Sequence, residues 1–257
     1  MYYIPYHGLG KLLRRIIPEK LRPLGYLTHL TREKTSNCVR QGPFAGMRYI
    51  ATSIGSAYIP KLLGIYEKEL NPFVEAICAK KPALIVDVGA AEGYYAIGLA
   101  RKSPYTRVIG YEMETNGQEA MNQMAVLNDV ADRVSVRGKC EPSDLEEVIE
   151  KEPHPVVICD VEGYEQYLLD QTAVPSLRRA VILVELHDFL VPNITEELQR
   201  RFFSTHRIVH IWQEPRSRAE FPWRTWGTRL LPKSYLDWTV SEWRPVKMAW
   251  LYMEPKE

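Results

Sequence analysis

The chain has 257 residues, 46% of them hydrophobic and 25% charged, which suits one α/β domain with appendages. A formal net charge of +1 argues against the strong basic field by which nucleic-acid and membrane-surface proteins gather their partners. Cys38, Cys78, Cys140 and Cys159 form no C-x-x-C pair and no zinc-ligand spacing, which argues against a disulfide framework or zinc knuckle and points to a reducing compartment.

The opening MYYIPYHGLGK places Tyr, Pro and His where a signal peptide would have a positive start and an apolar core. No apolar run approaches the ~18 residues of a membrane span. A cytoplasmic protein without a membrane partner is expected. Helical spacing follows in KLLRRIIPEKL and in YIPKLLGIYEKELNPFVEAICAK, broken at Pro18, Pro23, Pro60 and Pro72. Residues 1–80 therefore read as a helical extension or lid, with the main domain at 81–257. The basic run KLLRRIIPEKLR reads as a solvated helix face.

From Ala83 onward, short apolar runs alternate with polar-faced helical segments. The strand candidates are ALIVDVG, RVIGYE, RVSVRGKC, PVVICDVEG, AVILVEL, RIVHIWQE and, at the end, MAWLYMEP. Between them lie GYYAIGLARK, GQEAMNQMAVLN, PSDLEEVIEK, YEQYLLDQ and TEELQRRFFS as helices. This alternation predicts βαβ units: a Rossmann-like, seven-stranded, mostly parallel sheet covered by helices on both faces.

Ligands of such sheets sit beyond the carboxyl ends of the strands. The first strand ends at Asp87, and Gly89, Ala90, Ala91, Glu92 and Gly93 make the turn into a helix. A dinucleotide site would show G-x-G-x-x-G. Here Glu92 stands inside the turn, where it would repel a pyrophosphate and tolerate a cationic ligand. Glu112 ends the second strand some twenty residues on, the place of the acid that holds ribose hydroxyls. An adenosine ligand without phosphates, bearing an amino-acid tail and a sulfonium, fits both acids.

These residues resemble the class I S-adenosylmethionine-dependent methyltransferases, and more closely the FkbM-like family. The likeness rests on DVGAAEGYYA, on ICDVEGYE (158–165) and on VILVELHDF (181–189), spanning about residues 83–190. Ala91 departs from the general pattern, in which many members have a glycine. The resemblance implies S-adenosyl-L-methionine as cofactor and a last strand inserted antiparallel beside the fifth. The cofactor-binding residues on this reading are Asp87, Gly89, Ala90, Ala91, Glu92, Gly93, Glu112, Met113, Gly138, Lys139, Cys140 and Asp160. Gly89→Val is expected to weaken cofactor binding more than Glu112→Ala does, with the fold otherwise retained.

Asp160 ends the fourth strand and faces the same crevice as Asp87. Glu185 and His187 leave the fifth strand two residues apart and so point the same way. His187 is read as the general base, with Asp160 and Glu185 beside it as catalytic residues. The alternative is a divalent metal on Asp160, Glu185 and His187, which is not the favoured reading, so no metal is assigned. Gly163 allows the bend after the fourth strand, and Cys140 reads as an apolar filler.

The expected reaction is O-methylation of a small or medium-sized metabolite, a sugar, polyketide or similar natural product. The alternatives are N-methylation of RNA or protein, or a cofactor-binding domain without turnover. Against RNA stand the balanced charge and the absence of an Asn/Asp-Pro-Pro-aromatic string. The stretch holding Trp223, Trp226, Trp238 and Trp243 reads as an acceptor pocket, internal packing or a subunit interface, and a homodimer is left open.

Overall fold

A computed structural model of the chain describes Pro18 and residues 22–256. Except for Pro18, the expected helix in KLLRRIIPEKL lies outside the described residues. Contacts divide the chain into two units: one runs to Tyr66 and takes in Pro215–Pro245, and the other is Glu67–Glu214 with Val246–Glu257. This division differs from a single boundary at residue 80. The helix before the first strand goes with the sheet, and the tryptophan-rich stretch leaves it.

The sheet unit begins with a 3-10 turn and helix α3 (Asn71–Ala79), the first two helices, α1 (Pro23–Thr35) and α2 (Tyr58–Leu63), belonging to the other unit. Strands β1 (Leu84–Val88), β2 (Arg107–Tyr111), β3 (Val134–Arg137), β4 (Val156–Cys159) and β5 (Val181–Leu186) pair in parallel in the order β3-β2-β1-β4-β5. Helices α4 (Tyr94–Lys102), α5 (Thr115–Leu127), α6 (Pro142–Ile149) and the single turn α7 (Glu165–Leu168) supply the crossovers. After α8 (Ile194–Phe202) the chain forms β6 (His206–Trp212), and β7 (Ala249–Pro255) lies antiparallel between β5 and β6. The seven-stranded sheet is as the sequence predicts, and the antiparallel place of the last strand is as the resemblance implies.

The central strands are apolar runs because both faces are covered. All five residues of β1, all four of β4 and all six of β5 are buried, including Asp87 and Glu185. Leu84, Val86, Val157, Ile182 and Val184 pack with Leu145, Leu168, Leu198 and Phe202 of the helices in one core. At about 25 cal/mol per Å² of apolar surface, each such side chain contributes roughly 1.5–3 kcal/mol. That investment holds the strand ends in fixed register and thereby positions whatever projects from them.

The other unit has its own apolar core. Leu27 and Leu30 of α1 (Pro23–Thr35) and Ile59 and Leu63 of α2 (Tyr58–Leu63) meet Phe221 and, from α10 (Lys233–Val240), Leu236 and Val240. The short helix α9 (Trp226–Leu230) precedes α10. Trp223 stands edge-on to Phe221 at 5.3 Å and Trp238 leans on Trp243 at 5.6 Å, whereas Trp226 is 79% exposed. Among the described residues, no helix is long and apolar enough to cross a membrane.

Candidate active site

The register of the parallel strands builds the site. Val88 is level with Tyr111 on one side and with Cys159 on the other, and Cys159 is level with Val184. One residue further, Glu112, Gly89, Asp160 and Glu185 therefore form a row along the carboxyl edge of the sheet. Three of the four are acids. The fourth has no side chain, and the reason is steric. Gly89 has φ +82°, and a Cβ there would fall on the Asp160 carbonyl oxygen. The sequence expectation that Gly89→Val spares the fold is therefore corrected: the obstacle is the chain's own backbone in the next strand.

The turn between β1 and α4 is closed by Gly93 N–H donating to the Ala90 carbonyl at 2.7 Å. Gly89 and Ala90 N–H both donate to the Tyr111 carbonyl, at 2.9 and 3.0 Å. Ala91, where a glycine is common in the resembled superfamily, is held at φ +48°, in the left-handed region. Its N–H donates to Glu112 Oε2 at 2.9 Å, and Glu114 N–H donates to Oε1 of the same carboxylate at 2.8 Å. Glu112 is thus fixed over the turn while remaining half-buried. Glu92, read from the sequence as an acid inside the turn that tolerates a cationic ligand, is completely buried.

Next to Glu112, Met113 is 68% exposed. Beyond β3, Gly138 is exposed with no atom within 4 Å of where a Cβ would stand, so this edge of the sheet is open. Lys139 points outward, paired with Glu141 at 2.6 Å and 5.1 Å above the Tyr164 ring. The Tyr164 hydroxyl donates to Glu141 Oε2 at 2.6 Å. Cys140 is buried, and burial, the largest cause, pushes its thiol up to about 12, which makes it an inert filler as the sequence suggests.

At the other end of the row the sequence-predicted trio comes together. Asp160, Glu185 and His187 each offer one donor atom, and these atoms lie within 4.8 Å of one another. That spacing accommodates either a proton acceptor flanked by acids or a divalent ion. Glu185 is 2% and His187 4% exposed, while the Asp160 side chain is 43% exposed. His187 Nε2 lies 3.6 Å from Asp160 Oδ1.

The residue that sequence reasoning missed is Glu165. Fully buried at the start of α7, it places Oε1 2.6 Å from His187 Nδ1, and Val161 N–H approaches the same oxygen at 3.4 Å. Burial, the largest influence on the imidazole, pulls its pKa down. The hydrogen bond and charge of Glu165, with the charges of Asp160 and Glu162, outweigh it, so His187 lies above its ordinary value. The available signal was the final acid of Asp-Val-Glu-Gly-Tyr-Glu, five residues after Asp160.

No protein-family model matches the chain, and no curated protein matches it. Among solved structures, it is similar to a Corynebacterium diphtheriae protein provisionally described as a precorrin-6Y C5,15-methyltransferase targeted domain, with 16% identity and a TM-score of 0.46 over 75% of this chain and 99% of that one. The O-methyltransferase TomG of Streptomyces achromogenes, solved with SAM, is 12% identical, with a TM-score of 0.45 over 95% of both chains. A tRNA methyltransferase of B. subtilis is 8% identical, with a TM-score of 0.45 over 72% of this chain and 65% of that one. Likenesses at these identities and scores leave the chemistry to be argued from the residues.

Proposed function

We propose that the protein is an S-adenosylmethionine-dependent methyltransferase acting on an oxygen of a small or medium-sized metabolite. The observation that carries this reading is the row of acids at the carboxyl edge, with Glu112 at one end, Asp160 and Glu185 at the other, and His187 beside the latter two. The two ends suit different tasks, holding an adenosine and managing a proton.

The donor set fits the cofactor. An ionised carboxylate only accepts hydrogen bonds, and Glu112 stands where the two hydroxyls of a ribose would donate to it. The open surface at Gly138 and the exposed Met113 leave room for a flat, apolar base beside it. Asp87, buried at the end of β1, and Asp160 supply negative charge for an ammonium and a sulfonium. Glu92 and Lys139 fit this role less directly, the first being enclosed and the second paired with Glu141.

S-adenosylmethionine supplies the activated methyl group. The protein's task is to bring an acceptor oxygen into line and to take its proton. His187 Nε2, facing Asp160, is the atom we assign to accept it, and the half-exposed Asp160 orients the acceptor hydroxyl. Glu165 and Asp160 favour the imidazolium that results, and Glu185 lies buried beside them. Transfer to nitrogen, on RNA or protein, is the second reading, and no observation in the described residues favours it. The test is calorimetric titration with S-adenosylmethionine and with its demethylated product. Saturable binding of both is expected, and no heat at millimolar ligand would defeat the reading.

A further inference from the structure

The string Asp160-Val161-Glu162-Gly163-Tyr164-Glu165 touches both nitrogens of one imidazole. Asp160 Oδ1 lies 3.6 Å from His187 Nε2, and Glu165 Oε1 lies 2.6 Å from Nδ1. A continuing strand or helix could not return so quickly. The reversal comes from two successive left-handed residues, Glu162 at φ +47° and Gly163 at φ +104°. A Cβ on Gly163 would also stand 3.0 Å from Val191 Cγ2, in the loop that follows His187. Val191 N–H in turn donates to the His187 carbonyl at 2.9 Å. The bend and the histidine loop are therefore packed as one piece.

We infer that Glu165 is the positioning residue for His187, fixing the ring orientation and the tautomer with the proton on Nδ1, so that the Nε2 lone pair faces Asp160 and the acceptor. With Glu165 as a carboxylate, which only accepts hydrogen bonds, Nδ1 is the donor in the 2.6 Å Oε1–Nδ1 contact. The neutral ring must then carry its lone pair on Nε2. Glu165 is 0% exposed, and its Oε2 has no hydrogen-bond partner. A buried carboxylate held with one oxygen unsatisfied costs stability, which is the pattern of a group kept for function rather than for folding. The inference rests on the reading that His187 takes the acceptor's proton. It adds the residue that makes Nε2 the accepting atom.

The test is ¹⁵N-edited NMR of the full-length protein at a pH where the imidazole is neutral, with His187→Gln to assign the resonance. The wild-type ring is expected to show its proton on Nδ1, with the low-field proton signal of a short bond to a carboxylate. In Glu165→Gln the amide can either donate or accept, so the tautomer should shift toward Nε2–H or become mixed. A wild-type ring protonated on Nε2 overturns the inference, as does an unchanged tautomer in folded Glu165→Gln. The wild-type spectrum decides the matter if that variant does not fold. Calorimetry of the wild type with S-adenosylmethionine separates the two claims: absent binding defeats the function and leaves the tautomer result standing.

Discussion

His187 carries the sharpest expectation at the scale of single residues. A base must be neutral to accept a proton, and the imidazole is held above its ordinary value of 6.5 by Glu165, Asp160 and Glu162 against the pull of burial. Turnover should therefore rise with pH through a midpoint above 6.5, because the protonated form predominates below it. His187→Ala should leave cofactor affinity nearly intact and lower turnover by ~10²–10⁴-fold. A full rate in that variant would remove His187 from the chemistry. Glu112→Ala should weaken S-adenosylmethionine by about 1–3 kcal/mol in calorimetry, through the loss of charged hydrogen bonds. Unchanged affinity would mean that Glu112 only braces the Ala91 turn.

Ala91 makes the opposite kind of prediction, a gain. A left-handed Cβ costs roughly 1–2 kcal/mol, part of which glycine gives back through its more flexible unfolded chain. Ala91→Gly should raise stability by about 0.5–1 kcal/mol in urea unfolding, whereas a loss would show that its methyl group packs usefully. The buried thiols should be silent. Burial drives Cys140 to about 12 and Cys159 well above its usual value, so neither should be alkylated in the native protein at pH ~8. Labelling of Cys159 in the folded state would contradict its enclosure.

The decisive feature among elements is the contact between the β1 turn and β4. Gly89→Ala should unfold or severely destabilise the chain, by more than ~3 kcal/mol, because the added carbon meets a carbonyl that the sheet register holds in place. A thermal melt checks this, and an unshifted midpoint would mean that the strands can part at no cost. The strands themselves were legible in the sequence because a parallel sheet covered on both faces demands unbroken apolar runs. Asp87, Glu112, Asp160, Glu185 and His187 were legible because they follow such runs. Glu165 was not, since its return to the imidazole depends on the reversal at Glu162 and Gly163. The burial of Glu92 was equally hidden, because a charge in a glycine-rich turn reads as solvated.

Across the whole molecule, local pattern had least to offer. Residues 215–245 join those before Glu67 through contacts of high sequence separation, such as Leu27 with Phe221, for which periodicity has no signal. The strand order was predictable only through resemblance, since the apolar run of β7 does not say which strands it separates. In the sheet unit, the acid-lined carboxyl edge is proposed to hold an adenosyl cofactor. The most direct test is a crystal structure of the protein with the demethylated cofactor. Ribose hydroxyls are expected on the Glu112 carboxylate, the base toward Gly138, and the sulfur between Asp87 and Asp160. A ligand bound elsewhere, or a ribose that leaves Glu112 on the Ala91 and Glu114 amides alone, would contradict that proposal.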